Sequence, residues 1–133
     1  GTVVYIPDHE SYTRMRLHTN NAPTEADNIA NYARREEEDL EDFIRGADVL
    51  LMDSQYTEDE YAAKVGWGHS CFEDTVALAV KAGVRRLYLF HHDPRRTDDQ
   101  LSRIVGQARE QAARQKSDLI VEAAREASQI DFP

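Results

Sequence analysis

Disulfide frameworks are out of reach of this sequence, because its 133 residues contain a single cysteine, Cys71. A lone thiol has no internal partner, so a reducing, cytoplasmic compartment is expected. With no second thiol beside it, Cys71 is expected to pack in a first helical turn rather than act as a nucleophile. Long hydrophobic runs are missing too. No stretch approaches the roughly 18 apolar residues of a membrane span, and no signal-peptide pattern opens the sequence, so a membrane partner is not expected. Positive charge is the minority: 16 basic against 25 acidic residues leave a net charge of −9. That argues against a broad nucleic-acid footprint while leaving room for one phosphate at a local metal site. Internal repeats and low-complexity segments are absent. What remains is a globular chain, 41% hydrophobic and 31% charged, of one domain or part of one.

The informative stretch runs from Ala47 to Pro94. Two short apolar runs, Val49 to Met52 and Leu87 to Phe90, have the length and residue types of buried strands. Each stops on polar residues able to bind metal or move protons: Asp53 after the first, His91, His92 and Asp93 after the second. Between them Gly66-Trp67-Gly68-His69-Ser70 delivers a histidine to the start of a helix. Ser70 with Glu73 forms a capping-box pattern, Phe72, Val76, Ala79 and Val80 follow at helical spacing, and Gly83 supplies a stop. Strand, loop, helix and strand in that order predict parallel strands joined by a right-handed crossover. Ligands bind outside the carboxyl ends of such strands, where Asp53 and His91 would sit.

A third apolar run, Val3 to Ile6, ends on Asp8-His9-Glu10, so three predicted strands end in acid or histidine. Residues 11–23 read as a polar loop over a site, with His18 in it as an exposed residue. Thr24 then caps a helix to about Arg45, whose apolar side holds Ile29, Tyr32, Ala33, Leu40, Phe43 and Ile44 and whose stop is Gly46. The acids Glu36, Glu37, Glu38, Asp39, Glu41 and Asp42 read as a solvated face of it. Thr57 with Glu60 opens a short helix from Glu58 to Ala63, on which Tyr56 and Tyr61 pack. Thr97 with Gln100 opens a longer one marked by Leu101, Ile104, Val105, Ala108 and Ala112 and fraying near Lys116. The end of the chain reads either as two short strands, Leu119–Val121 and Gln129–Phe132, or as continued helix, and the strands are preferred.

A strand ending in a lone aspartate is also how a phospho-accepting receiver module presents its acceptor. That reading needs an acidic pair after the first strand, which Asp8 and Glu10 could imitate, and a lysine after a later strand, where Phe90-His91-His92-Asp93-Pro94 has none. Histidine and carboxylate at strand ends suit zinc, manganese or iron in hydrolytic sites. Two such ions a few ångströms apart clamp the attacking and leaving oxygens of a phosphoester. Asp8 and His91 alone are too few ligands for a closed site.

The order Tyr5-Ile6-Pro7-Asp8, then Met52-Asp53-Ser54-Gln55-Tyr56-Thr57, then Gly68-His69-Ser70, then Phe90-His91-His92-Asp93-Pro94 resembles the C-terminal half of a metallo-β-lactamase-fold hydrolase of the ribonuclease Z and phosphodiesterase type. The resemblance covers essentially residues 1–133 and implies an α/β fold, half of an αββα sandwich. It implies that Asp8 bridges two divalent metal ions, zinc first, with manganese or iron as alternatives. It makes His91 the last metal-ligating histidine, Asp53 the supporting acid and His69 the proton donor to the leaving group. His92 takes the place of a residue that is not a ligand. The family's HxHxDH signature is missing, so an N-terminal half before Gly1 is the expected partner. A substrate of phosphodiester type, RNA or cyclic nucleotide, is expected, with other small-molecule substrates and a second copy of the chain as further candidate partners. A non-catalytic scaffold of the same fold is the remaining alternative. The opening on Gly1 rather than Met, directly before a strand, points to the same missing half.

Overall fold

The computed structural model describes residues 1–16 and 23–131. Four strands form one sheet: β1 (Val3–Ile6), β2 (Val49–Asp53), β3 (Arg86–Phe90) and β4 (Ile120–Ala123). They lie in sequence order and all three pairings are parallel. Among the described residues five helices are interposed: α1 (Tyr12–Arg16), α2 (Pro23–Ile44), α3 (Glu58–Tyr61), α4 (Phe72–Lys81) and α5 (Asp98–Arg114). Right-handed crossovers between successive neighbours of a parallel sheet all return on one side. The main helices α2, α4 and α5 therefore share a face.

The register makes this concrete. Val4, Leu50, Leu87 and Val121 form one row across the four strands, and Ile6, Met52, Leu89 and Ala123 a second. Alternation along each strand puts these rows on one face. There they pack with Ile44 of α2, Phe72, Val76 and Ala79 of α4, and Ile104, Ala108 and Ala112 of α5. Each large side chain buried this way contributes roughly 1.5–3 kcal/mol of hydrophobic stabilisation. The opposite face, with the row Tyr5, Leu51, Tyr88 and Glu122, has no helix from this core cluster over it. On it Val3, Tyr5 and Ile120 remain 52%, 55% and 50% exposed.

Several expectations are corrected. The predicted loop after Glu10 contains α1, which Arg14 ties to Glu58 and, at 2.9 Å, to Asp74; His18, Asn20 and Asn21 lie outside the described residues. Thr24 does not precede α2, which starts at Pro23, a residue preorganised for a first helical position. Ser70 is not a cap: α4 takes Cys71 as N-cap with no side-chain hydrogen bond, and the Ser70 hydroxyl donates to the His9 carbonyl at 2.5 Å. Tyr32 and Phe43 of the assumed apolar side are 52% and 70% exposed, because each stands one residue, about 100° of helix rotation, from the buried Ala33 and Ile44. Glu41 is buried rather than solvated and pairs with Lys81 and Arg45. The helix after Thr57 ends at Tyr61, short of Ala63. Only the first predicted C-terminal strand forms, as β4, where it pairs with β3; Gln129 to Asp131 are not in a strand and Phe132 lies outside the described residues. Both threonine capping boxes, at Thr57 and Thr97, are complete, and Tyr56, Tyr61 and Cys71 pack together as expected.

Candidate active site

The carboxyl ends of β1, β2 and β3 converge, and four side chains meet there. Asp8, Asp53, His69 and His91 each offer one ligand-capable atom, and these atoms lie within 4.8 Å of one another. All four are residues singled out from the sequence. They come from four separate segments, and the parallel order of β1, β2 and β3 sets three of them side by side.

Asp53 is fully buried at the end of β2. Its Oδ2 accepts from His69 Nδ1–H at 2.6 Å and from the His9 amide at 3.2 Å, and its Oδ1 accepts from the Gln55 amide at 3.2 Å. Burial pushes its carboxyl above the usual carboxylate range, while the bonds from His69, His9 and Gln55 favour the ionised form and limit the rise. The peptide carbonyl of Asp53 in turn accepts from Thr75 Oγ1 at 2.8 Å, which pins the strand end to α4. An aspartate so enclosed is not an open phospho-acceptor, which removes the structural ground for the receiver alternative.

His69 has its Nδ1 committed to Asp53, with Asp8 Oδ1 3.9 Å away. Its ring stacks on that of His91, centroids 4.4 Å apart and planes 15° off parallel. Nε2 is the ring nitrogen outside that contact. Two glycines with left-handed backbone, Gly66 at φ 85° and Gly68 at φ 90°, build the turn before it. Trp67 between them is 62% exposed, with Lys64 Nζ 3.7 Å from its ring centroid.

His91 follows β3 at φ 59°, a left-handed conformation costly for a non-glycine residue and concentrated at functional sites. Its Nε2 lies 3.7 Å from Asp8 Oδ1, and its Nδ1 is buried without a hydrogen-bond partner among the described residues. The Nε2 of His91 facing a largely exposed carboxylate fits a metal-ligating pair. Asp8 and His91 could hold such an ion; Asp53 has its oxygens engaged by three donors and fits a supporting role. His92 instead points Nε2 at the Ala124 carbonyl, 3.4 Å away, and burial pushes its pKa down.

A second group, Glu58, Cys71 and Glu73, also lies within ligand distance. Glu58 is ion-paired to Arg14, and burial pushes the Cys71 thiol well up, so this group reads as packing. Two roles escaped the sequence. Glu10, grouped there with metal ligands, is buried and bound to the glycine turn. Arg96 clamps α3 to the loop after β3 through Glu60 and the Gln55 carbonyl, both at 2.8 Å. Their partners are 36 to 58 residues distant in the chain, so no local spacing signals either contact.

Residues 31–92 match the family model of the β-lactamase superfamily domain. That match spans a little under half of the chain and, with the parallel sheet and the strand-end cluster, supports a portion of a metallo-β-lactamase-fold hydrolase. Among its relatives are ribonucleases Z. That of Thermoplasma volcanium is 39% identical over 70 residues, 53% of this chain and 22% of the relative. That of Sulfurisphaera tokodaii is 40% identical over 55 residues, 41% of this chain and 18% of the relative. That of Thermoplasma acidophilum is 41% identical over 58 residues, 43% and 19% respectively. The chain thus matches about a fifth of the length of these relatives. No helix among the described residues is long and apolar enough to cross a membrane.

Proposed function

We propose that this chain is the C-terminal half of an αββα metallo-β-lactamase domain and supplies the leaving-group side of a metal-dependent phosphodiester hydrolase. The observation that carries the reading is the 2.6 Å contact between His69 Nδ1 and the buried Asp53 carboxylate, set beside Asp8 and His91. Likeness to ribonucleases Z supports a phosphodiester of RNA or cyclic-nucleotide type. The uncovered sheet face with Val3, Tyr5 and Ile120 supports a second α/β layer, provided by an N-terminal half that also brings the missing ligands. The single cysteine supports a reducing, cytoplasmic setting.

Two divalent ions, zinc by preference, would be held in part by Asp8 and His91 and would act as Lewis acids toward the phosphoryl oxygens. The chain's own residues perform the proton step. Asp53 fixes the orientation of His69 by accepting from Nδ1–H, which leaves Nε2 directed outward as the atom that carries the transferred proton. Stacking on His91 holds the ring plane. As the bond between phosphorus and the leaving oxygen breaks, the Nε2 proton passes to that oxygen, a contribution of roughly 10²–10⁴ in rate.

The test is His69→Ala in the intact protein. Metal content stays near wild type while kcat falls by about 10²–10⁴ for an alkoxide leaving group, and the loss shrinks for nitrophenolate, which needs less protonation. Equal losses for both leaving groups, or a parallel loss of metal, would exclude the acid role.

A further inference from the structure

Of the two acids in the turn that directly follows β1, Asp8 is largely exposed, whereas Glu10 has both oxygens hydrogen-bonded inside the molecule. It is 4% exposed and accepts from Tyr61 Oη–H at 2.7 Å and Gly66 N–H at 2.6 Å through Oε1, and from Gly68 N–H at 2.7 Å through Oε2. A carboxylate taken out of water is costly unless hydrogen-bonded, and bonds to an ionised acceptor are the strong ones. The left-handed backbone of Gly66 and Gly68 turns two amides, two residues apart, onto one carboxylate, a concavity of the kind that binds anions. Here the anion is the protein's own.

The consequence falls on His69. On its N-terminal side Gly68 is held by Glu10, and on its C-terminal side the Ser70 hydroxyl donates to the carbonyl of His9. The His9 amide meanwhile donates to Asp53, the partner of His69. The tripeptide Asp8-His9-Glu10 therefore grips both flanks of the histidine and its orienting carboxylate. We propose that Glu10 is a positioning residue that fixes the direction of His69 Nε2 through the Gly66–Gly68 turn. This rests on the acid role of His69 given above.

The experiment is Glu10→Gln in the intact protein, with Tyr61→Phe as its control. Glutamine has the same shape, but its NH2 group would face an amide N–H, so one of the two glycine bonds is lost. Misplacement of a reacting group by about 1 Å costs up to about 10²-fold. Glu10→Gln is expected to lower kcat about 10- to 100-fold for an alkoxide leaving group and much less for nitrophenolate, with KM and metal content near wild type. Tyr61→Phe, which leaves both glycine bonds in place, should show no dependence on leaving group. Hydrogen exchange on the unaltered protein gives a readout that needs no variant: the Gly66 and Gly68 amides should exchange slowly although their turn carries an exposed tryptophan. Fast exchange overturns the proposal, as does an equal response of both variants. A loss in Glu10→Gln that ignores the leaving group, where His69→Ala responds to it, overturns the role of Glu10 alone. A flat response in His69→Ala removes the acid reading and this proposal with it.

Discussion

Replacing Asp53 by asparagine keeps the side chain's shape and removes its charge, which isolates what the carboxylate does for His69. In the native protein Asp53 satisfies three donors: His69 Nδ1–H, the His9 amide and the Gln55 amide. An amide group has one acceptor oxygen, so whichever way it turns, an NH2 faces a donor. A hydrogen bond to a charged group is worth roughly 1.5–3 kcal/mol. At about 1.4 kcal/mol per tenfold in rate, losing the bond between His69 and a charged acceptor lowers kcat by about 10- to 150-fold. Because Asp53 is fully buried and bonded to His69, the proposed proton step makes the two substitutions act on one unit. The double variant Asp53→Asn/His69→Ala should therefore be no slower than His69→Ala alone, and the interaction energy of the cycle should equal the whole effect of Asp53→Asn. The assay is kcat for the four proteins on one phosphodiester, with metal content measured alongside. Losses that multiply would refute the reasoning and show that Asp53 touches the reaction independently, as a metal ligand would.

Two further outcomes follow from the same site. Asp8→Ala and His91→Ala in the intact protein should each lower bound metal sharply by mass spectrometry, because each removes a proposed ligand; full occupancy in either would discard that assignment. Burial pushes the His9 imidazole below its ordinary value, against the pull of Glu37, Asp53, Glu10 and Asp74. The unfolded chain takes up a proton near pH 6.5 that folded His9 resists, so this stability is present above about pH 6.5 and is lost as pH falls. His9→Gln should flatten the decline in urea midpoint between about pH 7 and 5, with His92, shifted the same way by burial, carrying the remainder; an unchanged slope would show that His9 is not the group responsible.

Periodicity alone placed β1, β2, β3, α4 and α5 to within about two residues, because each is a short run with one buried face and clear stop signals. The residues for the candidate site were legible for the same reason: Asp8, Asp53 and His91 sit where apolar runs end, and strand ends in a parallel sheet share an edge. A local pattern could not decide between competing partners. Ser70 had the spacing of a cap, yet its hydroxyl found the His9 carbonyl, 61 residues away in sequence. Glu10 and His91 both stood among ligand-capable residues. Folding bound both oxygens of Glu10 to the glycine turn and Tyr61 and left His91 Nδ1 without a partner among the described residues. Sequence thus determined which segments are apolar, where they stop and what chemistry stands at their ends. Only the tertiary structure decided which carboxylate orients His69 and which holds its loop, because desolvation and hydrogen bonding between distant segments have no spacing along the chain.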